Sequence, residues 1–527
     1  MTPAGGLSGR AWGLGRLAIA GSILLPFALL LVLSFRQDGM PGAGNYLEAL
    51  DSRTLVLLGR TVLLAAGGTA IALVLGGAAA VAFERRVFPA RSILRVTALA
   101  PLLIPPVFHV AVWERLAAPG GVLPLLLPFA VEAGRPFPIR NVAMAALILG
   151  SSCSPIPFFF LSSALRALPR ELVEAARISR GPVAIWTRVI LPLLFPSIAA
   201  GAGLVFTLTL WNHEVPGLLD VMTYPVVILV NHGVRNDAGL AFAAASPLLA
   251  LGTAVLLASE LWAERRGFAL VGREKGECLA PEGKPGVASW LVAGGWWAFV
   301  ALLPVAMLVR MAGPPSVYGA AWITDGPKVL LGCAVHGLSA LLAVLAAGAL
   351  LLPPRAGRPR RVAGLWLAFA LPGSLLAFAL AVLTLSGPLS PLYDSWGILV
   401  AASLARFVPI AACVLAAQLR SVPRGLWEAA DLAPGALRRW FGIRLPLAAP
   451  GLAVGAVAVL LLSSGELSAT LLLSPPGHGE PLMVRIYNLI HYRTEHDVLA
   501  ALCLYHAASI TLVAGMLLVG GRLLGRR

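Results

Sequence analysis

The sequence predicts an all-α membrane protein of twelve transmembrane helices, arranged as two parallel six-helix repeats. Three observations predict it. The 527-residue chain is 58% hydrophobic and only 12% charged, with a mean hydropathy of +0.86. Charge so sparse, about half that of a soluble domain, excludes soluble globular and disordered classes. Apolar runs recur along the chain at lengths suited to a bilayer core, which takes about 20 residues per helix. Finally, the passage 165–196 returns as 419–450.

The charge-free runs, in order, are Leu17–Ser34, Thr61–Phe83, Val96–Trp113, Asn141–Leu165, Val189–His213, Ala238–Ser259, Pro285–Val309, Val329–Pro354, Val362–Tyr393, Leu445–Gly465 and Val498–Gly521. A twelfth, Ser395–Leu419, is broken only by Arg406. The long run Val362–Tyr393 contains Pro372, Gly373, Pro388 and Pro391 and reads as one span plus a turn. A first span followed by eleven others reads as a membrane domain and not as a removable signal peptide.

The formal charge is +16, from 40 Lys+Arg against 24 Asp+Glu. With the N-terminus placed inside, 28 of the 40 basic residues fall in inner segments. By the positive-inside rule both termini then face the cytoplasm. The basic excess is a topology signal, and no nucleic-acid partner is expected. The only lysines are Lys275, Lys284 and Lys328, and none is followed by Ser or Thr. The chain therefore lacks a phosphate-binding loop of its own. Its five cysteines, Cys153, Cys278, Cys333, Cys413 and Cys503, are scattered and suggest neither zinc nor disulfides. No cofactor or metal is expected.

At a constant offset of 254 the two passages match at Leu165/Leu419, Arg166/Arg420, Pro169/Pro423, Arg170/Arg424, Leu172/Leu426, Glu174/Glu428, Ala175/Ala429, Ala176/Ala430, Gly181/Gly435, Leu191/Leu445, Pro192/Pro446 and Pro196/Pro450. Such gap-free agreement marks an internal duplication. The chain divides into a first repeat (1–263), a cytoplasmic linker (264–285) and a second repeat (286–527). The repeated loops occupy 166–190 and 420–444. Each starts as a short helix, since Glu-Ala-Ala is strongly helix-forming and a Pro precedes it. A Gly seven residues on permits a left-handed turn or close approach of another backbone. A second helical stretch then leads into Leu-Pro. Trp186, Ile190, Trp440 and Ile443 give the loop an apolar side that invites a protein partner.

This Glu-Ala-Ala…Gly…Leu-Pro pattern, present twice, resembles the cytoplasmic signature of permease subunits of binding-protein-dependent ABC importers. The resemblance implies the type I importer permease fold, in the inner membrane of a bacterium. It also implies two copies of a cytoplasmic ATPase subunit, a periplasmic substrate-binding protein, and no enzymatic chemistry in this chain. Glu174, Ala175, Ala176, Gly181, Leu191, Pro192, Glu428, Ala429, Ala430, Gly435, Leu445 and Pro446 would form the ATPase-coupling loops. One departure is Arg177-Ile178-Ser179-Arg180, where the family commonly has an acidic residue before the Gly; the second copy keeps Asp431. The stretch 465–473, Pro475-Pro476-Gly477, Val484–Tyr487, Glu214-Val215-Pro216 and Arg406–Pro409 look like the fused permeases of ferric-iron importers. Thiamine, polyamine, molybdate and sulfate permeases share the architecture.

Four residues are candidates for the translocation path. Glu214 and Glu466 are read as equivalent residues at the outer ends of two spans; they either meet a cation or a binding protein, or cap helix ends in water. His213 is a metal ligand or a structural histidine. Arg406 lies mid-span, where charge is costly, and either lines the route or makes an inter-helix hydrogen bond. Tyr224–His232 and Leu482–His491 read as outer surface helices or loops. Two rival classes are an ion-gradient-driven secondary transporter, which needs membrane carboxylates, and a membrane-embedded enzyme, which no His/Asp/Glu cluster supports.

Overall fold

The computed structural model describes all residues except 1–4, 38–39, 50–51, 127–136, 180, 236, 268–280, 282, 353–364, 386–387, 434, 436–437, 476, 493 and 526–527. Most of the predicted linker therefore lies outside the described residues. The architecture is all-α, with one two-residue β-ladder, Arg36–Gln37 against Met40–Pro41. Among the described residues nine helices are long and apolar enough to cross a membrane, or up to eleven if each of two bent pairs counts as one span.

In the first repeat the main helices are α1 (Gly5–Ser34), α2 (Ser52–Glu84), α3 (Pro106–Ala117), α4 (Val142–Cys153), α5 (Pro155–Arg166), α6 (Arg170–Ser179), α7 (Leu191–Leu210), α8 (Glu214–Leu218), α9 (Tyr224–Arg235) and α10 (Ala238–Gly267). The second repeat follows with α11 (Val287–Ala312), α12 (Pro315–Leu351), α13 (Gly373–Thr384), α14 (Gly397–Ser421), α15 (Arg424–Leu432), α16 (Leu445–Ser464), α17 (Ser468–Leu472), α18 (Leu482–His491) and α19 (His496–Gly525).

Proline decides where the predicted runs break. The run read as Val96–Trp113 is two helical arms, Arg91–Leu103 and Pro106–Ala117, bent by 91°. Pro105 and Pro106 supply no amide N–H to continue the first arm. The run Asn141–Leu165 bends by 42° between α4 and α5, at Pro155. The run Val362–Tyr393 is no single long helix: its described part holds Trp366–Ala370, a break at Leu371-Pro372, α13 and a short helix Ser390–Tyr393. Of the twelve expected runs it is the one in which no described helix or bent pair is long enough to cross a membrane.

The core obeys the duplication. In the first repeat α2 packs on α4, α5 and α7, and α7 packs on α10; in the second, α12 packs on α14 and α16, and α16 on α19. Small residues permit these approaches, as expected where lipid supplies no hydrophobic drive between helices. A Cβ at Gly76 of α2 would fall 2.0 Å from the Ser154 carbonyl oxygen.

The leading helix of each repeat crosses to the other. α1 packs on α10 and also on α12, α13 and α14. α11 packs on α19 and also on α2 and α3. The second crossing is anchored by aromatics: the Trp296 ring stacks on Phe158 at 4.6 Å, and its Nε1–H donates to Ser154 Oγ at 2.9 Å. Trp297 Nε1–H donates to Thr97 Oγ1 at 2.9 Å. Arg16 of α1 donates to the carbonyls of Ala349 and Leu352 at the end of α12.

Candidate functional site

Two regions gather the predicted residues. The first is the pair of loops. Helices α6 and α15 start one residue after Pro169 and Pro423, at the same offset of 254. Val173 and Ala430 are buried, whereas Glu174 and Glu428 are exposed. Glu174 pairs with Arg170 at 2.6 Å across one helical turn. Each loop closes in a π-helical turn, Trp186–Ile190 and Arg438–Arg444, directly before Leu-Pro. The cause is local. In the first loop the Leu191 amide donates to Trp186 O, five residues back, and the Pro192 that follows has no N–H to give the carbonyl of Arg188.

The loops differ at their glycines. Gly435 has φ +80°, the left-handed turn expected. Gly181 has no positive φ and open space where a Cβ would stand; its carbonyl accepts from the Ile185 amide and begins a new helical turn, so it shows neither the left-handed turn nor the close approach that a Gly here permits. The apolar side read from sequence faces inward in part. Ile190 is buried, Trp186 packs on the first bundle and Trp440 on the second. These residues root the loops beside the ends of α2 and α12. The outward apolar residues are others: Ile178 (90% exposed), Val183, Leu432 (86%) and Phe441. Leu191 and Pro192 are exposed, while Leu445 and Pro446 are half-buried.

The second region lies where α7–α8 meets α16–α17, and it corrects the pairing of Glu214 with Glu466. Helices α7 and α16, and likewise α8 and α17, correspond at an offset of 254. At that offset the equivalent of Glu466 is Asn212. Both cap their short helix in the same way: the Val215 amide donates to Asn212 Oδ1 at 3.0 Å, and the Ala469 amide to Glu466 Oε1 at 3.2 Å. Glu214 corresponds to Ser468, and these two residues meet: Ser468 Oγ donates to Glu214 Oε1 at 3.3 Å. Residues related by the duplication can touch only beside its pseudo-two-fold axis. A two-fold axis relating the repeats would pass beside this contact.

Arg406, on α14, is 9% exposed and forms an ion pair with Glu466. Its partner is a side-chain carboxylate, which both sequence readings, route lining and inter-helix bond, accommodate. A buried arginine requires an acceptor, and Glu466 supplies it from the same repeat. The Arg406 Nε–H has no hydrogen-bond partner. Glu214 is also 9% exposed. Burial, and then the Glu466 carboxylate, push its acid up to about 8. Tyr487 of α18 faces Glu214. His213 is half-buried beside Glu466 and Arg406, and its imidazole is pushed down chiefly by burial. Among the described residues no group of three or more His, Cys, Asp or Glu could hold a metal ion.

Three groups escaped sequence reading. Asp325 of α12 is fully buried, pairing with Lys328 at 2.7 Å and lying 3.7 Å from Arg485. It lay outside the apolar run that began at Val329. Glu84 gathers Arg91, Arg95 and Arg166 at the root of the first loop. Three histidines, His109, His336 and His506, are buried, each with one ring nitrogen unpartnered. The segments read as outer surface elements are helical, but α18 buries six of its ten residues. No protein-family model matches this chain, and no curated protein matches it.

Proposed function

We propose that this chain is the membrane subunit of an ATP-driven importer of the binding-protein-dependent class. The reading is carried by one observation: two loops, related by the duplication, present Ile178 and Val183 in one copy and Leu432 and Phe441 in the other as exposed apolar residues on rooted, polar fingers. Exposed apolar clusters with a polar rim suit a protein partner, and a chain without a phosphate loop needs one to use ATP. In this reading two ATPase subunits grip the fingers and close on ATP. The two repeats rock about the axis at Glu214 and Ser468, and the path opens alternately to each side. A binding protein delivers cargo at the end opposite the fingers. Ferric iron is the favoured cargo, with thiamine, polyamine, molybdate or sulfate as alternatives. Both termini lie in the cytoplasm and the membrane is a bacterial inner membrane.

Gly181→Asp combined with Gly435→Asp puts a carboxylate at the tip of each finger. An ATPase that copurifies with the parent chain is expected to be lost, and ATP-dependent uptake with it. Unchanged uptake would remove the coupling role. The buried carboxylates Asp325, Glu214 and Glu466 favour a second reading, an ion-gradient-driven secondary transporter. Uptake in proteoliposomes that follows an imposed ion gradient, without ATP, would select it.

A further inference from the structure

The centre of the molecule is more asymmetric than the duplication requires. Only the second repeat carries a charged pair there. In the first repeat Ser152 stands in place of Arg406 and Asn212 in place of Glu466, both neutral. The pair also sits under a broken helix. A Cβ on Gly373, the first residue of α13, would fall 2.1 Å from Glu466 Oε1 and 2.7 Å from Arg406 Nη1. The break at Leu371-Pro372 thus lays bare backbone against the two charged groups. Glu466 at the same time caps α17, whose first residue, Ser468, makes the hydrogen bond to Glu214 beside the axis. A single ion pair therefore ties together α14, the end of α16, α17 and α13, and reaches the other repeat through one hydroxyl. Arg406 lies nine residues from the start of α14, about 14 Å along it at 1.5 Å per residue. Glu466 stands two residues past the end of α16.

We infer that the Arg406–Glu466 pair is a one-sided latch, which holds α13 and α17 closed over the axis and whose breakage opens the path through the second repeat alone. Its place on a translocation path rests on the function proposed above; its role as a latch on α13 and α17 does not. A buried pair suits a latch. Intact, its two charges neutralise each other. Once pulled apart, each charge is left in an apolar setting, so intermediate positions are disfavoured and the element has two states. Glycine at 373 is a positioning feature, because any side chain would wedge α13 off the pair.

The test uses the full-length chain in proteoliposomes, without nucleotide or partner. The five native cysteines are replaced by alanine, and a single cysteine stands at Ala469, which is 3% exposed. A membrane-impermeant maleimide reports access. Arg406→Gln, Glu466→Gln and Gly373→Ala should each speed labelling by about tenfold, as expected for loss of a local closing contact. The exchange Arg406→Glu with Glu466→Arg keeps both charges and should return the rate to near that of the parent. Ser152→Ala, at the equivalent place in the first repeat, should leave the rate unchanged. Parent-rate labelling in the single variants, or equal acceleration by Ser152→Ala, would overturn the latch. If the single variants lose a monodisperse profile, the exchange variant decides: slow labelling supports the latch and fast labelling overturns it. Loss of ATPase copurification in the fingertip variants bears on the importer reading alone, so the two proposals fail separately.

Discussion

At the residue scale, the buried charges are where this chain carries most energetic risk. Removing one member of a buried pair strands the other, at a cost of about 3–5 kcal/mol, whereas replacing both with apolar groups of similar size is often nearly neutral. Arg406→Leu or Glu466→Leu alone should therefore lower the thermal midpoint of the detergent-purified protein sharply, and the double leucine variant should recover most of the loss. A double variant no more stable than the singles would mean that the pair does not act as a unit. Glu214 sets a pH dependence of opposite sense to the usual carboxylate. Its acid is raised from an ordinary 4.5 to about 8, so the folded state holds a proton that the unfolded state releases. That contribution is fully present below pH 4.5 and is lost as pH rises through about 8. Stability of the parent should decline between about pH 4.5 and pH 8, and Glu214→Gln should flatten the decline; parallel profiles would show that the proton sits elsewhere. Arg406 itself was legible in the sequence, because a lone arginine interrupts an apolar run. Its partner was harder to see. Pairing Glu466 with Glu214 by type hid the true register, in which Asn212 does the same capping with an uncharged amide.

At the element scale, the two fingers look alike in sequence and differ in backbone. Gly435 holds φ +80° and Gly181 does not. Alanine at 435 must then adopt a left-handed conformation that costs about 1–2 kcal/mol, whereas alanine at 181 meets open space. Amide exchange in α15 should speed by about fivefold or more in Gly435→Ala, with α6 unaffected by Gly181→Ala. Equal effects in both would contradict the difference in turn geometry. Charge-free apolar runs located the long helices well, because a bilayer span is long and its hydropathy is averaged over many residues. They could not count them. Pro105 and Pro372 end a helical arm inside an apolar run, and hydropathy does not distinguish a straight span from one bent by 91°. The apolar residues of the fingers were likewise visible without their direction: Trp186 and Trp440 point home, and Ile178 and Leu432 point out.

At the scale of the whole molecule, the duplication was legible as an offset of 254 residues, and the helix packing repeats it pair for pair. The crossing of α1 and α11 was not legible, because local sequence carries no record of which neighbour an apolar helix will meet. Trp296 shows this: its buried ring and its bond to Ser154 belong to a residue 142 positions away. If the chain is cut within the linker and residues 1–267 are coexpressed with 281–527, the two pieces should copurify, since each supplies a helix to the other. Deletion of α1 should weaken that association even though the second piece is intact; undiminished copurification would mean the crossing contributes little.

That crossing also bears on how the chain is made. The surface of the first repeat that Phe158 and Ser154 form is complete in sequence long before Trp290, Trp296 and Trp297 leave the ribosome. Until then it stands uncovered in the lipid with a hydroxyl lacking its final partner. The first repeat must therefore wait, inserted but unfinished, for the opening helix of the second, so synthesis order makes α11 the closing piece of the half that precedes it.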